Sequence, residues 1–220
     1  MSDKLRLRFE KTGRAVYISH LDLMHTMQRA FSRAGYELKY SEGFNPHPQI
    51  SIALPLSVGV SSRCELMDFK LKGDCDPDEL PRRLSEVMPE GIRVLECYVP
   101  ERKFAALKYL QIKGLFEYDE RDASEMAEAL NRFFSAESIV ITRKTKRGMG
   151  ESDIRPAIRS ISFTAAEDGV RLEAVISAQE PTLNPAMLVD ALCQLRPELA
   201  PDFAKFTRLE TFQTDMSLFR

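Results

Sequence analysis

An α+β fold built as two consecutive units is predicted by three observations on this 220-residue chain. Several short runs alternate apolar and polar residues at period two, the pattern of half-buried strands. Between them lie runs with apolar residues at helical spacing, opened by capping residues. The order strand, helix, strand, strand, helix, strand occurs twice, with a break near Pro100 to Ala106. The expected units are residues 1–104 and 105–220.

In the first unit, Lys4 to Phe9 alternates, with Leu5, Leu7 and Phe9 on one face and Lys4, Arg6 and Arg8 on the other. Ala15 to Ile18 returns to strand-like residues after the Thr12-Gly13 turn, as a hairpin or as one bulged strand. Ser19-His20-Leu21-Asp22 fits a capping box, in which the Ser19 hydroxyl takes the Asp22 amide and the carboxylate reaches back to the Ser19 amide. The helix it opens runs to about Ala34 on a stripe of Leu23, Met24, Met27, Ala30, Phe31 and Ala34, and Gly35 stops it. Tyr36-Leu38-Tyr40 reads as a short strand, Ile50 to Leu54 as another and Glu65 to Leu71 as a third. Asp76 and Pro77 open a helix ending near Met88. Gly91 to Val99 closes the unit as a strand.

The second unit begins with a strand from Tyr109 to Tyr118, a helix from Ala123 to Phe134 and a strand from Ser138 to Arg143. Ala157 to Thr164 and Val170 to Ser177 pair around Asp168-Gly169 as a hairpin. Asn184 and Pro185 open a helix to about Leu195, and Arg208 to Gln213 is the last strand. This half carries one strand more than the first. The shared order β-α-β-β-α-β is the ferredoxin-like, split βαβ arrangement with a mostly antiparallel sheet, so two such units in tandem are expected.

Composition is that of an ordinary globular chain, 44% hydrophobic and 29% charged. No apolar run approaches the length that crosses a bilayer. The first residues pass straight into a strand pattern without the apolar stretch of a signal peptide, which predicts a cytoplasmic protein with no membrane partner. Cys64, Cys75, Cys97 and Cys193 form no CxxC pair, so reduced and mostly buried thiols are expected. The net charge is −2, but residues 1–40 and residues 143–159 each carry a net +4. Two basic segments in an acidic background steer a polyanion to one surface.

Four features could carry chemistry. His20, Asp22 and His25 cluster at the start of the first helix, where Asp22, His25 and Arg29 share a polar face. Asn45 and His47 each precede a proline in Asn45-Pro46-His47-Pro48, so both are restricted to extended backbone and presented with little freedom to lose. Arg143-Lys144-Thr145-Lys146-Arg147-Gly148-Met149-Gly150 reads as a basic, glycine-containing loop whose cations and backbone amides suit phosphates, with Arg155 close behind. Arg6 and Arg8 would decorate an open sheet face of the kind that receives RNA. His20, Asp22, His25 and His47 are the candidates for catalysis. The RNA contacts expected are Arg6, Arg8, Asn45, His47, Arg143, Lys144, Lys146, Arg147 and Arg155. A capping box, a rigid connector and a solvated loop account for the same residues without any ligand. No HExxH spacing, Walker A loop, GxGxxG or GxSxG is present, so no metal, cofactor or nucleophilic triad is expected.

Ser19-His20-Leu21-Asp22-Leu23-Met24, Arg33-Ala34-Gly35, Tyr40 to Pro48 and Leu54-Pro55-Leu56-Ser57-Val58-Gly59-Val60 together resemble the radical SAM-linked family, a bacterial domain of unknown function. Asp153-Ile154-Arg155-Pro156 is similar to that family's second half. The resemblance implies a domain fused to, or encoded beside, a radical SAM protein. This sequence has no CxxxCxxC to hold the iron–sulfur cluster, so the resemblance implies an accessory chain whose radical chemistry belongs to a separate partner. The family-typical positions are His20, Asp22, Asn45, His47 and Arg155.

Three functions follow as expectations. The first is an RNA-binding module, for tRNA or rRNA, acting with a radical SAM RNA-modifying enzyme and having no catalysis of its own. The second is a metal-independent RNA-processing enzyme with histidine as acid or base. The third is a protein–protein adaptor for the radical SAM partner.

Overall fold

The computed structural model describes residues 4–145 and 148–220. Lys146 and Arg147, expected as phosphate contacts, lie outside them. Contacts divide the chain into two compact units, Met1–Phe104 with Arg220, and Ala105–Phe219. Both mix helices with antiparallel strands. Among the described residues no helix is long and apolar enough to cross a membrane.

The first unit runs β1 (Lys4–Lys11), α1 (His20–Arg33), β2 (Ile50–Ile52), β3 (Ser61–Lys70), α2 (Leu80–Ser85) and β4 (Ile92–Tyr98). Its strands lie in the order β4-β1-β3-β2, each antiparallel to its neighbour. Leu7 and Phe9 of β1 and Met67 and Phe69 of β3 pack against Met27, Ala30 and Phe31 of α1. The rings of Phe31 and Phe69 lie 4.9 Å apart. Each of the Leu, Met and Phe side chains among them, fully buried, contributes about 1.5–3 kcal/mol.

Helix α1 has both of its ends specified locally. The Ser19 hydroxyl accepts from the Asp22 amide at 3.1 Å. The Asp22 carboxylate receives the Ser19 hydroxyl at 2.7 Å rather than the Ser19 amide that a regular capping box would use. At the other end Gly35 takes φ +81°, Tyr36 N donates to Phe31 O at 2.9 Å, and Gly35 N donates to Ser32 O at 3.1 Å. That is a Schellman stop, which a residue with a Cβ would strain. Tyr36 to Tyr40 forms only isolated bridges, Leu38 to Leu71 and Tyr40 to Pro48, and not a strand. Helix α2 is shorter than the sequence pattern, because residues 77–79 form a turn held by the Asp76 carboxylate, which accepts from Asp78 N at 2.9 Å.

The second unit runs β5 (Tyr109–Glu117), α3 (Ala123–Phe134), β6 (Val140–Thr145), β7 (Gly148–Asp153), β8 (Ile158–Ala166), β9 (Gly169–Ser177), α4 (Ala186–Leu195) and β10 (Phe203–Phe212). The strand order β10-β5-β9-β8 is again antiparallel throughout. Phe116, Phe134 and Phe163 pack together in its core, with Phe134 and Phe163 stacked at 5.3 Å. The segment expected as a basic loop is instead a two-stranded ribbon, with β6 paired to β7 from Val140–Asp153 to Thr145–Gly148. It lies between α3 and β8, so it adds two strands where the pattern indicated one.

Candidate nucleic-acid interface

In the first unit, residues 40–48 form a closed loop. Tyr40 bridges Pro48, Ser41 N donates to His47 O at 2.8 Å, and Gln49 Nε2 donates to Tyr40 O at 3.1 Å. His47 N donates to the Ser41 hydroxyl at 3.1 Å, and that same hydroxyl lies 3.0 Å from His47 Nδ1. Ring and hydroxyl thus share one hydrogen bond, whose donor is set by the ring tautomer. The Asn45 carbonyl also approaches Nδ1, at 3.5 Å. Asn45 and His47 are therefore brought together, both exposed, on a turn whose shape its own hydrogen bonds enforce.

At the start of α1, Asp22 and His25 are exposed on the face they share with Arg29. His20 is half-buried, and its Nδ1 is shielded from solvent without a hydrogen-bond partner among the described residues. Among the described residues no three His, Cys, Asp or Glu side chains gather as a metal ion requires. His20, Asp22, His25 and His47 are thus not assembled into one ligand set.

Arg6 corrects the expectation of an open, arginine-bearing sheet face. Its side chain is fully buried. It makes a bidentate pair with Asp68, directly across on β3, at 2.6 and 3.1 Å. Its Nη2 also donates to Arg102 O at 2.9 Å, and the Phe104 ring lies 4.4 Å from Cζ. Residues 102–104 fold over this guanidinium, so it has no surface to offer a phosphate. Arg8 is half-buried.

Lys11 is a residue the sequence pattern did not single out. It ends β1 beyond a bulge and is 2% exposed. Nζ donates to Val16 O at 3.3 Å and Ile18 O at 3.1 Å, holding the turn that leads into Ser19. Burial lowers its pKa, and the nearby Glu65 carboxylate opposes that shift. Nothing local signals this, because a lysine at the end of an alternating strand reads as solvated.

In the second unit, the ribbon of β6 and β7 docks on α4 through a two-way amide contact. Thr142 N donates to Gln194 Oε1 at 2.8 Å, and Gln194 Nε2 donates to Thr142 O at 3.1 Å. Arg143 and Lys144 are exposed towards the ribbon's far end, opposite Gly150 and Met149. The Arg143 guanidinium lies 3.8 Å from Met187 Sδ, on α4. At the base of the ribbon, Asp153 accepts from Ser138 Oγ at 2.9 Å, Ile139 N at 2.9 Å and Arg155 N at 3.0 Å. Those amides hold its carboxyl below the usual carboxylate range. Arg155 spends its guanidinium on Ala136 O at 3.1 Å and Ile158 O at 2.8 Å. It is a backbone clamp between α3 and β8, where the sequence pattern placed a phosphate contact.

The four cysteines are free thiols, and Cys193 is exposed where burial was expected. Burial, with Cys75 and Asp78 nearby, pushes the Cys97 thiol up to about 12, so it is protonated and a poor nucleophile at neutral pH.

A family model described as "Uncharacterized protein conserved in bacteria (DUF2344)" matches residues 4–185. The chain belongs to this family. The match spans both units, from β1 to the residue before α4. No curated protein matches the chain. Among solved structures, a Cbf5-Nop10-Gar1 complex is similar at 10% identity and a TM-score of 0.47, over 94% of this chain and 48% of the other. This chain thus spans about half the length of that one. A protein titled as unknown, from Galdieria sulphuraria, is similar at 10% identity and a TM-score of 0.30, over 93% of this chain and 97% of the other.

Proposed function

We propose that this member of the family is an RNA-binding accessory protein, acting on tRNA or rRNA beside a separate radical SAM RNA-modifying enzyme, and that its two units are ferredoxin-like. The strand orders β4-β1-β3-β2 and β10-β5-β9-β8, each built from a β-α-β-β-α-β sequence of main elements, support the fold reading. The radical SAM partner rests on the resemblance carried by the Ser19–Met24 and Tyr40–Pro48 motifs.

The observation that carries RNA binding is the ribbon of the second unit. Arg143 and Lys144 stand exposed towards its tip, opposite a strand that offers glycine at positions 148 and 150. The sequence between them adds Lys146 and Arg147. The ribbon's carboxylates lie towards its base, and Asp153 is committed to backbone amides there. Charge is thereby separated along the ribbon, with Arg143 and Lys144 nearer its tip than Asp153. Such a tip neutralises phosphates without reading bases, which gives salt-dependent, sequence-tolerant affinity.

The test is RNA binding over a salt series with the Arg143→Ala/Lys144→Ala protein. Affinity should fall across all sequences, and the slope of log affinity against log salt should shrink by about two. An unchanged slope removes the ribbon from the interface. Absence of binding by the unmodified protein to any RNA at low salt rejects the function. Co-purification of a radical SAM protein that survives nuclease treatment would point to the adaptor role instead.

A further inference from the structure

We propose that the first unit holds unpaired nucleotides of the RNA by stacking them on Tyr40 and Phe44, beside a groove along α1. This rests on the RNA-binding reading and names the substrate class at a second site, in the other unit from the ribbon.

Phe44 is fully exposed, at 111% of its reference area, and Tyr40 is 46% exposed. An aromatic side chain left entirely in water forgoes the burial that normally decides its position. Yet Phe44 does not sit on a loose segment. It occupies the tip of the loop closed by the Tyr40–Pro48 bridge, the Ser41–His47 backbone bond and the Ser41 hydroxyl. Gly43, at φ +119°, makes the turn just before it, and Pro46 and Pro48 fix two further φ angles. The loop's own bonds have already met the ordering cost of presenting that ring.

Tyr40 joins this loop to the groove. It lines an open groove of about 790 Å³ together with Gln28, Arg29, Ser32, Arg33 and Tyr36. That volume lies in the range that takes small ligands, a nucleotide among them. Its charge suits a polyanion. Arg29 is exposed, and Lys39 precedes Tyr40 in the sequence. Glu37, the groove's carboxylate, is ion-paired with Lys72. His47 stands exposed next to Pro48 at the loop's base. Glu42 is the one acidic side chain of the loop itself.

Aromatic faces flanked by cations are how proteins hold single strands, because every base has a π-face and its phosphate lies a bond network away. A duplex hides those faces in its own stack, so a protruding ring selects for loops, bulges and ends. The cationic surround distinguishes this surface from an apolar protein-docking patch.

The test uses the full chain and a short RNA carrying a fluorescent adenine analogue, offered single-stranded and annealed to its complement. Stacking should quench the analogue in the single strand. Phe44→Ala and Tyr40→Ala should each weaken single-strand binding about tenfold or more and restore the fluorescence, while Phe44→Trp keeps both. Both positions are exposed, so the variants should fold, and circular dichroism checks this. Failure of the unmodified protein to bind either RNA overturns RNA binding as a whole. Binding that is unaffected by Phe44→Ala and Tyr40→Ala overturns the stacking site alone. Preference for the duplex, or single-strand binding without quenching, does the same.

Discussion

The Asn45–Pro48 turn of the first unit and the Asp153–Pro156 turn of the second are alike in composition. Each sets a polar or charged residue before a proline and a second one within two positions. They spend those groups in opposite ways. In the first, the Ser41 hydroxyl holds His47 at the ring nitrogen and the amide, and the exposed edge of the ring is left outward. In the second, the Asp153 carboxylate takes two amides and a hydroxyl, and Arg155 gives its donors to Ala136 and Ile158. One turn displays its polar groups and the other consumes them. A rigid, polar, proline-bounded segment is therefore no sign of a site until the partners of its side chains are known.

That contrast can be broken by measurement, beginning with the most thoroughly spent group. Arg6→Met takes the bidentate partner from buried Asp68, leaving it the Lys4 ammonium at 2.6 Å, and should cost about 3 kcal/mol in a urea titration. A loss below about 1 kcal/mol would mean that the pair contributes little beyond its own desolvation. Arg155→Ala should cost about 1–3 kcal/mol, because two carbonyls lose their donor at the junction of α3 and β8. The loss should appear as a lower midpoint without loss of RNA stacking in the first unit.

Asp153→Asn gives a smaller effect with a definite pH signature. The folded carboxyl titrates below its ordinary range, so its contribution is present above the unfolded value near 4. It is lost as pH falls through the folded value. The unmodified protein and the variant should differ in stability at neutral pH and converge in acid. A gap that stays constant down to acid pH would show that the carboxylate's charge is irrelevant. The smallest effect expected is that of His47→Ala, within about 0.5 kcal/mol of the unmodified protein, since the ring is exposed. If it costs as much as Arg155→Ala, the two turns do not differ as described.

Much of the first unit and the helices of both were legible because their signals are local. Ser19, Gly35, Asn184 and the apolar stripe of α1 all act over a few residues, and α3 spans Ala123–Phe134 as its periodicity indicates. Strand starts were less legible. β3 begins at Ser61 and β10 at Phe203, several residues before the alternation becomes clear, because pairing with a neighbour extends a strand past its own pattern. The ribbon was read as a loop because Gly148 and Gly150 are poor strand formers. Pairing with β6 and docking on Gln194 override that preference. Of the candidate site, His47 and Asn45 are exposed as their motif indicates. Phe44 and Tyr40 passed unnoticed because a lone aromatic in a turn-rich segment reads as core or connector.

The amino-acid sequence by itself determined where α1 and α3 start and stop, which residues alternate along β1, and that a stiff histidine turn lies between Ser41 and Pro48. These are properties of neighbouring residues and of fixed backbone angles. Only the tertiary structure decided which charges are free. Asp68, which takes up Arg6, is 62 residues away along the chain, and Arg155 meets a carbonyl 19 residues back. An arginine's type and spacing are the same whether its donors face water or a buried partner, and only the folded chain brings that partner within hydrogen-bond reach.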